Sequence, residues 1–156
     1  MNNVLSFMGQ DHDRLDGIFQ QFKGSETGDP YTLRPLFHEF KTGLQRHIVW
    51  EEDILFPLFE EKMGMHDDGP TAVMRQEHRQ IKSYMEQIHD ALGREPWDSI
   101  RGISDSLTRV LTDHNTKEES ILYPWIDEAL DEKEREQVFL RMKSVTPDRY
   151  NTCCCH

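Results

Sequence analysis

The sequence predicts an all-α protein: an up-down-up-down bundle of four helices, followed by a short fifth helix. Three observations predict it. Apolar residues recur at helical spacing through four long segments, and no strand-like alternation is present. The segments are separated by short breaks rich in Gly and Pro, so consecutive helices must run antiparallel as neighbours. Finally, the second half of the chain repeats the first, as expected of two similar helical hairpins packed face to face.

The elements follow in order. From about Val4 to Phe22, Leu5, Met8, Leu15, Phe19 and Phe22 share one face, and "KGSETGDP" (23–30) ends the first helix. A second helix is expected from about Thr32 to Lys62, with Leu36, Phe40, Leu44, Ile48, Leu55 and Leu58 inward, closed by "MGMHDDGP". The third runs from about Thr71 to Leu92, and "GREPWDS" separates it from the fourth, about Trp97 to Leu130, with Leu107, Leu111, Ile121, Leu122 and Trp125 inward. Pro57 and Pro124 fall near the ends of the second and fourth helices. Each removes a backbone donor and should kink or weaken the last turns. Residues 131–143 form a polar amphipathic fifth helix that packs one edge through Val138, Phe139 and Met142. The domain is expected to span 1–143, with 144–156 a disordered tail ending in "CCCH".

Composition excludes several classes of function. With 156 residues, 36% hydrophobic and 30% charged, the chain can bury one core without staples. No apolar run approaches the length of a membrane span. The N-terminal stretch "MNNVLSFMGQDHD" lacks the basic region of a signal peptide. A formal charge of −11, without Lys/Arg clusters, argues against binding a phosphate backbone. The cysteines, Cys153, Cys154 and Cys155, all lie in the last four residues, so no disulfide framework holds the domain. A cytoplasmic protein is expected.

The repeat carries the chemistry. "HIVWEEDILFPLFE" (47–60) matches "HNTKEESILYPWID" (114–127), and "QDHDRL" (10–15) matches "QEHRQI" (76–81). Residues four apart share a helix face, so His47 points with Glu51 and His114 with Glu118. Ile54 and Ile121, three residues after each Glu, mark that face as inward. His12 lies between Met8 and Leu15, and His78 between Met74 and Ile81. A single His on an apolar face is usually a hydrogen-bonded core residue, and "EE" is usually a solvated face. Six such positions repeated in phase are another matter. Two unpaired buried carboxylates cost several kcal/mol unless positive charge lies between them, and no Lys or Arg recurs on that face. Imidazole and carboxylate without thiolate suit Fe, Mn or Zn. Four His and two Glu exceed one tetrahedral Zn site and fit two metal ions about 3.5–4 Å apart. Each would take two His and share Glu51 and Glu118.

The series His12, "HIVWE" (47–51), "EH" (77–78) and "HNTKE" (114–118) resembles the hemerythrin-like, or HHE cation-binding, family over roughly residues 3–130. The resemblance implies a non-haem di-iron centre, oxo- or hydroxo-bridged, with Mn or a mixed pair as variants. It implies His12 and His47 on one iron, His78 and His114 on the other, and Glu51 and Glu118 bridging; a swapped pairing fits the sequence almost as well. Oxygen-carrying hemerythrins have a His-x-x-x-His pair on the third helix, whereas Met74 and Lys82 stand at those spacings from His78. They also place an Asp five residues after the fourth-helix His, the offset of Glu119 here. Helical phase favours Glu118, and Glu119 becomes the alternative if the helix is locally distorted. The four-His, two-Glu set is similar to the di-iron domain of proteins that repair damaged iron-sulfur clusters, whose N-terminal cysteine-bearing region does not precede helix 1 here.

Three functions are expected from this. The first is a reactive centre handling NO, O2 or peroxide, in stress response or cluster repair. The second is reversible O2 binding, storage or sensing without turnover. The third is a metal-free interaction bundle. No nucleic-acid or membrane partner is expected. Glu86 and His89 form a single Glu-x-x-His that lacks the second copy a ferritin-like site needs. His38 should face solvent, and His66 lies in a loop.

Overall fold

The computed structural model describes residues 2–151, and those residues are helical without strands. The helices are α1 (Val4–Lys23), α2 (Pro30–Trp50), α3 (Phe56–Met63), α4 (Pro70–Ala91), α5 (Trp97–Lys117), α6 (Tyr123–Ala129) and α7 (Glu132–Lys143). Two π-helical segments, Glu51–Leu55 and Glu118–Leu122, join α2 to α3 and α5 to α6. Each joined pair is one long rod. The four rods of the bundle are therefore α1, α2–α3, α4 and α5–α6, with α1 against α2 and α4 against α5 as the two hairpins.

Local chemistry sets the ends. The Asn3 side chain accepts from the Ser6 N–H, and Asp29 caps α2 directly before Pro30, whose fixed φ suits a first helical position. Two further free donors at the start of α1, the N–H groups of Val4 and Leu5, bond the Asp127 carboxylate at 2.8 and 3.0 Å. That ties the first helix to α6. Gly64, in left-handed backbone at φ 66°, ends α3. A reciprocal capping box between Asp131 and Glu134 starts α7.

The prolines act upstream of where the sequence places the kink. Pro57 has no N–H, and its ring crowds the carbonyl four residues back. The ladder widens by one residue just before it, and the Phe56 N–H donates to the Glu51 carbonyl, five residues earlier. Pro124 does the same in the second half, where the Tyr123 N–H donates to Glu118. The extra residue shifts helical phase. Ile121, expected inward, is 57% exposed although its match Ile54 is buried, because α7 packs over the first π segment, while Leu122, Tyr123 and Ile126 point into the core. In the second helix Leu33 and Phe37 are buried and Leu36 only half so.

The apolar interior is divided into two bodies. One contains Leu15, Phe19, Phe22, Phe37, Phe40, Leu44, Ile81, Met85, Leu107 and Leu111. The other contains Val4, Met8, Ile54, Leu55, Phe56, Phe59, Met74, Leu122, Tyr123 and Ile126, closed by Val138 and Met142 of α7. Trp50 joins α7 to the bundle by donating to the Met142 carbonyl at 3.1 Å. In chain order His12 falls between Met8 and Leu15, His78 between Met74 and Ile81, and His114 with Glu118 between Leu111 and Leu122, one neighbour from each body. Of the segment expected to be a tail, residues 144–151 make a 3-10 turn at Pro147–Arg149, where Arg149 pairs with Asp53. Cys153, Cys154 and Cys155 lie outside the described residues.

Candidate metal centre

His12, His47, Glu51, His78, His114 and Glu118 are all buried, the two Glu completely. Every one of the six positions proposed from the sequence lies in one polar layer between the two apolar bodies. The His12 and His47 rings sit 4.6 Å apart and the His78 and His114 rings 5.0 Å apart. Their Nε2 atoms point to the carboxylates. His12 and His114 lie 3.2 and 3.3 Å from Glu118 Oε1, and His78 and His47 lie 3.1 and 3.8 Å from Glu51 Oε1. Within this layer two groups of potential ligand atoms are close enough to hold an ion: Glu51, His78, His114 and Glu118, and His12, His47 and Glu118.

The outward nitrogens are anchored with the same regularity. His47 Nδ1 meets Asp11 at 2.8 Å, and His114 Nδ1 meets Glu77 at 2.8 Å. His78 Nδ1 meets Glu52 at 2.7 Å, and His12 Nδ1 meets Glu119 at 3.0 Å. A carboxylate on Nδ1 keeps the proton there and leaves the Nε2 lone pair facing inward. The second Glu of each "EE" thus orients an imidazole. Glu119, the alternative considered for the centre, bonds His12 from outside it, and Glu118 occupies the inward place.

Here the π segments matter. In an α-helix adjacent residues diverge by about 100°. The widened turn lets Glu51 enter the centre while Glu52 reaches His78 on α4, and likewise lets Glu118 enter while Glu119 reaches His12 on α1. π-bulges often occur at functional sites.

Tyr123 completes the layer. Its hydroxyl, fully buried, lies 2.7 Å from Glu51 Oε2, 3.0 Å from Glu118 Oε1 and 3.2 Å from His47 Nε2. Its counterpart in the repeat is Phe56, which stacks on His78 at 5.9 Å. Sequence reasoning missed Tyr123 and the anchoring role of Asp11, Glu52, Glu77 and Glu119, the last of which it weighed only as a ligand. The signal for the latter was present in "DH" and "EH", where an acid precedes His12 and His78, and in both "EE" pairs.

Without a metal ion the layer is electrostatically tense. Burial works against a charged His12, but its hydrogen bond to Glu118 and the charges of Glu118 and Glu51 outweigh that and raise its pKa to about 9. Burial likewise opposes His78, and Glu51 and Glu52 raise it to about 9. His114 is raised by Glu118 against the same burial. Burial and the Glu118 charge push Glu51 up, whereas Glu118, despite burial, is held well down by its bonds to Glu51, His114 and His12. Three buried atoms, Glu51 Oε1, His78 Nε2 and Glu118 Oε2, make no well-aligned hydrogen bond, although the first two face each other at 3.1 Å as an ion pair. Buried polar atoms are normally paired. Oxygen and nitrogen atoms left bare side by side are what a cation would satisfy, and the donor set suits Fe, Mn or Zn.

The remaining candidates lie elsewhere. Glu86, His89 and Asp90 form a surface group on α4, and His38 and His66 are exposed.

An antiparallel helical bundle with a buried His/Glu layer able to bind metal defines the class of this protein. The chain belongs to the hemerythrin HHE cation-binding domain family, whose model matches residues 3–126. It is 26% identical to a DNA nickase of Nostoc sp. over 92% of this chain and 39% of the relative. It is 27% identical to the iron-sulfur cluster repair protein YtfE of Edwardsiella ictaluri over 67% of this chain and 51% of the relative. An uncharacterized hemerythrin-like protein of Schizosaccharomyces pombe is 25% identical over 94% of this chain and 72% of its own length. The chain thus spans about half or less of the Nostoc and Edwardsiella relatives. No solved structure matches it significantly. No described helix is long and apolar enough to cross a membrane.

Proposed function

We propose that residues 1–143 form a cytoplasmic di-iron protein whose centre reacts with NO, O2 or peroxide, in defence against nitrosative or oxidative stress or in iron-sulfur cluster repair. One observation carries this reading: four imidazole Nε2 atoms, each fixed by a carboxylate behind it, converge on two fully buried carboxylates, each of which keeps one oxygen, Glu51 Oε1 and Glu118 Oε2, without a hydrogen bond. His12 and His47 would hold one iron, His78 and His114 the other, and Glu51 and Glu118 would serve both. The ring spacings within these pairs favour this pairing over the swapped one. Manganese or a mixed pair fits the same donors.

When bound, iron supplies the capacity to coordinate small ligands and exchange electrons with them. The chain's own residues set the conditions. Asp11, Glu52, Glu77 and Glu119 hold the four imidazoles in one tautomer. The two apolar bodies exclude water, which strengthens each interaction within the layer. The Tyr123 hydroxyl donates to Glu51, and its position beside His12 and His47 offers a proton donor to whatever enters there. Met74 and Lys82 stand where a fifth His would close the site, and the Lys82 side chain is exposed. Fewer protein donors leave more room for exchangeable ligands, which favours reaction over guarded carriage. The relatives named for iron-sulfur cluster repair support the repair role.

The test is metal analysis of purified protein, with optical spectra of the reduced form before and after O2, NO and peroxide. About two iron ions per chain are expected, falling below one in His47→Ala and Glu118→Ala. Reduced protein inert to both NO and peroxide would rule out the reactive centre, and oxygenation that reverses through repeated cycles would favour a carrier. A protein purified without stoichiometric metal, and unchanged by those substitutions, would leave only an interaction bundle.

A further inference from the structure

The two halves of the bundle differ at their seams. The repeat matches α1 with α4 and α2 with α5, so the seam between α1 and α5 has its counterpart between α4 and α2. The second seam is closed on both sides of the metal layer. On one side Lys41, buried, places Nζ 2.8 Å from Glu86 Oε1. On the other side the Arg75 guanidinium donates to Glu60 and to the Glu52 carbonyl, and lies 5.5 Å over the Phe56 ring.

At the α1–α5 seam the matching positions carry no such pairs, and the bridge from Lys23 Nζ to Thr108 Oγ1 at 2.9 Å and Asp105 at 3.2 Å starts eleven residues beyond His12, at the end of α1 away from the metal layer. Thr108 stands where the repeat has Lys41, Gln20 where it has Glu86, and Gly9 where it has Arg75. The Thr108 hydroxyl donates to the Ser104 carbonyl of its own helix and accepts from Lys23 Nζ across the seam. A crevice of about 80 Å³ remains, lined by Asp16, Phe19, Gln20, Thr108, Leu111 and Thr112. Asp16 is one turn from His12, and Leu111 is one turn from His114. Beyond His12, Gly9 lies under Glu119, whose carboxylate is 41% exposed against 25% for its counterpart Glu52. A water molecule takes roughly 30 Å³ in the liquid, so the crevice admits a few atoms and no ring. Phe19 and Leu111 give it an apolar wall, and the charges beside it, the Asp16 carboxylate and Lys23 Nζ, are opposite in sign, so neither anions nor cations are favoured.

We propose that the α1–α5 seam is the entry route for small uncharged ligands of the diatomic class, which reach the centre beside His12. The proposal rests on the reading of the centre as reactive, but it concerns the path and can fail separately. Two experiments test it. Crystals of the full chain pressurised with xenon should show the gas between Phe19 and Leu111 and none between α2 and α4. In reduced, iron-loaded protein, NO association followed by stopped-flow absorbance should slow about tenfold in Thr108→Leu, because entry then waits on opening of the helices. Thr112→Trp, which changes an exposed residue at the mouth, gives the same prediction with no risk to the core. Iron content and the nitrosyl spectrum should match the unaltered protein in both. Xenon absent from this seam or present equally at both, or association rates unaltered in iron-replete variants, would overturn the proposal and leave the metal centre standing. Protein that takes up no iron would instead remove the reading of the centre, and the xenon result would still decide whether the seam is open.

Discussion

At the scale of single residues, the polar layer is organised by imidazole–carboxylate pairs. Each imidazole has one nitrogen inward and the other on a carboxylate, and those four carboxylates come from four different segments. Removing an anchor should therefore act on metal affinity more than on folding. Glu52→Ala and Glu119→Ala are each expected to weaken metal binding about 10- to 100-fold, measured by competition with a chelator, with helical circular dichroism unchanged. Tyr123 is a different case. Tyr123→Phe leaves Glu51 Oε2 without its 2.7 Å donor in a fully buried setting. Loss of about 1–3 kcal/mol is expected in denaturant titration of metal-free protein, with less loss once metal satisfies the carboxylates. Equal destabilisation with and without metal would show that the phenol serves packing instead.

At the scale of elements, the π segments connect backbone to site. Their cause is local, a proline that cannot donate and crowds the turn before it. Their consequence is tertiary, since neighbouring glutamates reach two different places. Asp53 is exposed and lies inside the first segment. Deleting it should restore an ordinary α-helical ladder with α2 and α3 still in phase, and return Glu51 and Glu52 to the divergence of about 100° between adjacent helical residues, so that one of them loses its place. Helical content should persist while bound metal falls below one ion per chain, as read by circular dichroism and metal analysis. Pro57→Ala removes the cause but not the contacts of Glu51 and Glu52, so metal binding should survive it. Full metal binding in the deletion variant would show that the π segment is not what positions Glu51.

At the scale of the whole molecule, a charged layer sits between two apolar bodies, and its protonation is linked to folding. His12 and His78 have folded-state pKa values of about 9 against an ordinary 6.5. Their stabilisation is complete below 6.5 and is lost as pH rises through about 9. Asp11 and Glu52 are shifted the other way. Burial opposes both, and His47 and His78 respectively prevail and lower them. Their contribution is present above the ordinary carboxylate range and is lost in acid. Metal-free protein should therefore melt at a lower temperature at pH 9 than at pH 6. Metal must displace the histidine protons, so binding should release protons and raise the melting temperature most at pH 9. Thermal scans at the two pH values, with and without metal, check both signs. A melting temperature of metal-free protein that does not change between pH 6 and 9 would contradict them.

The sequence by itself determined the helices, their antiparallel order and the six residues that meet in the middle. These rest on periodicity, on breakers, and on a repeat that kept polar residues where a core needs only apolar ones. Only the tertiary structure decided the rest. The repeat put Ile54 and Ile121 alike inside, and only the packing of α7 over the first π segment buries Ile54 while Ile121 is 57% exposed. The role of the second Glu in each "EE" was undecidable from its own helix, because its partners, His78 and His12, lie on helices distant in sequence. The same holds for Tyr123, which the repeat presents as a match for Phe56. Only convergence of four rods shows that its hydroxyl stands between both carboxylates.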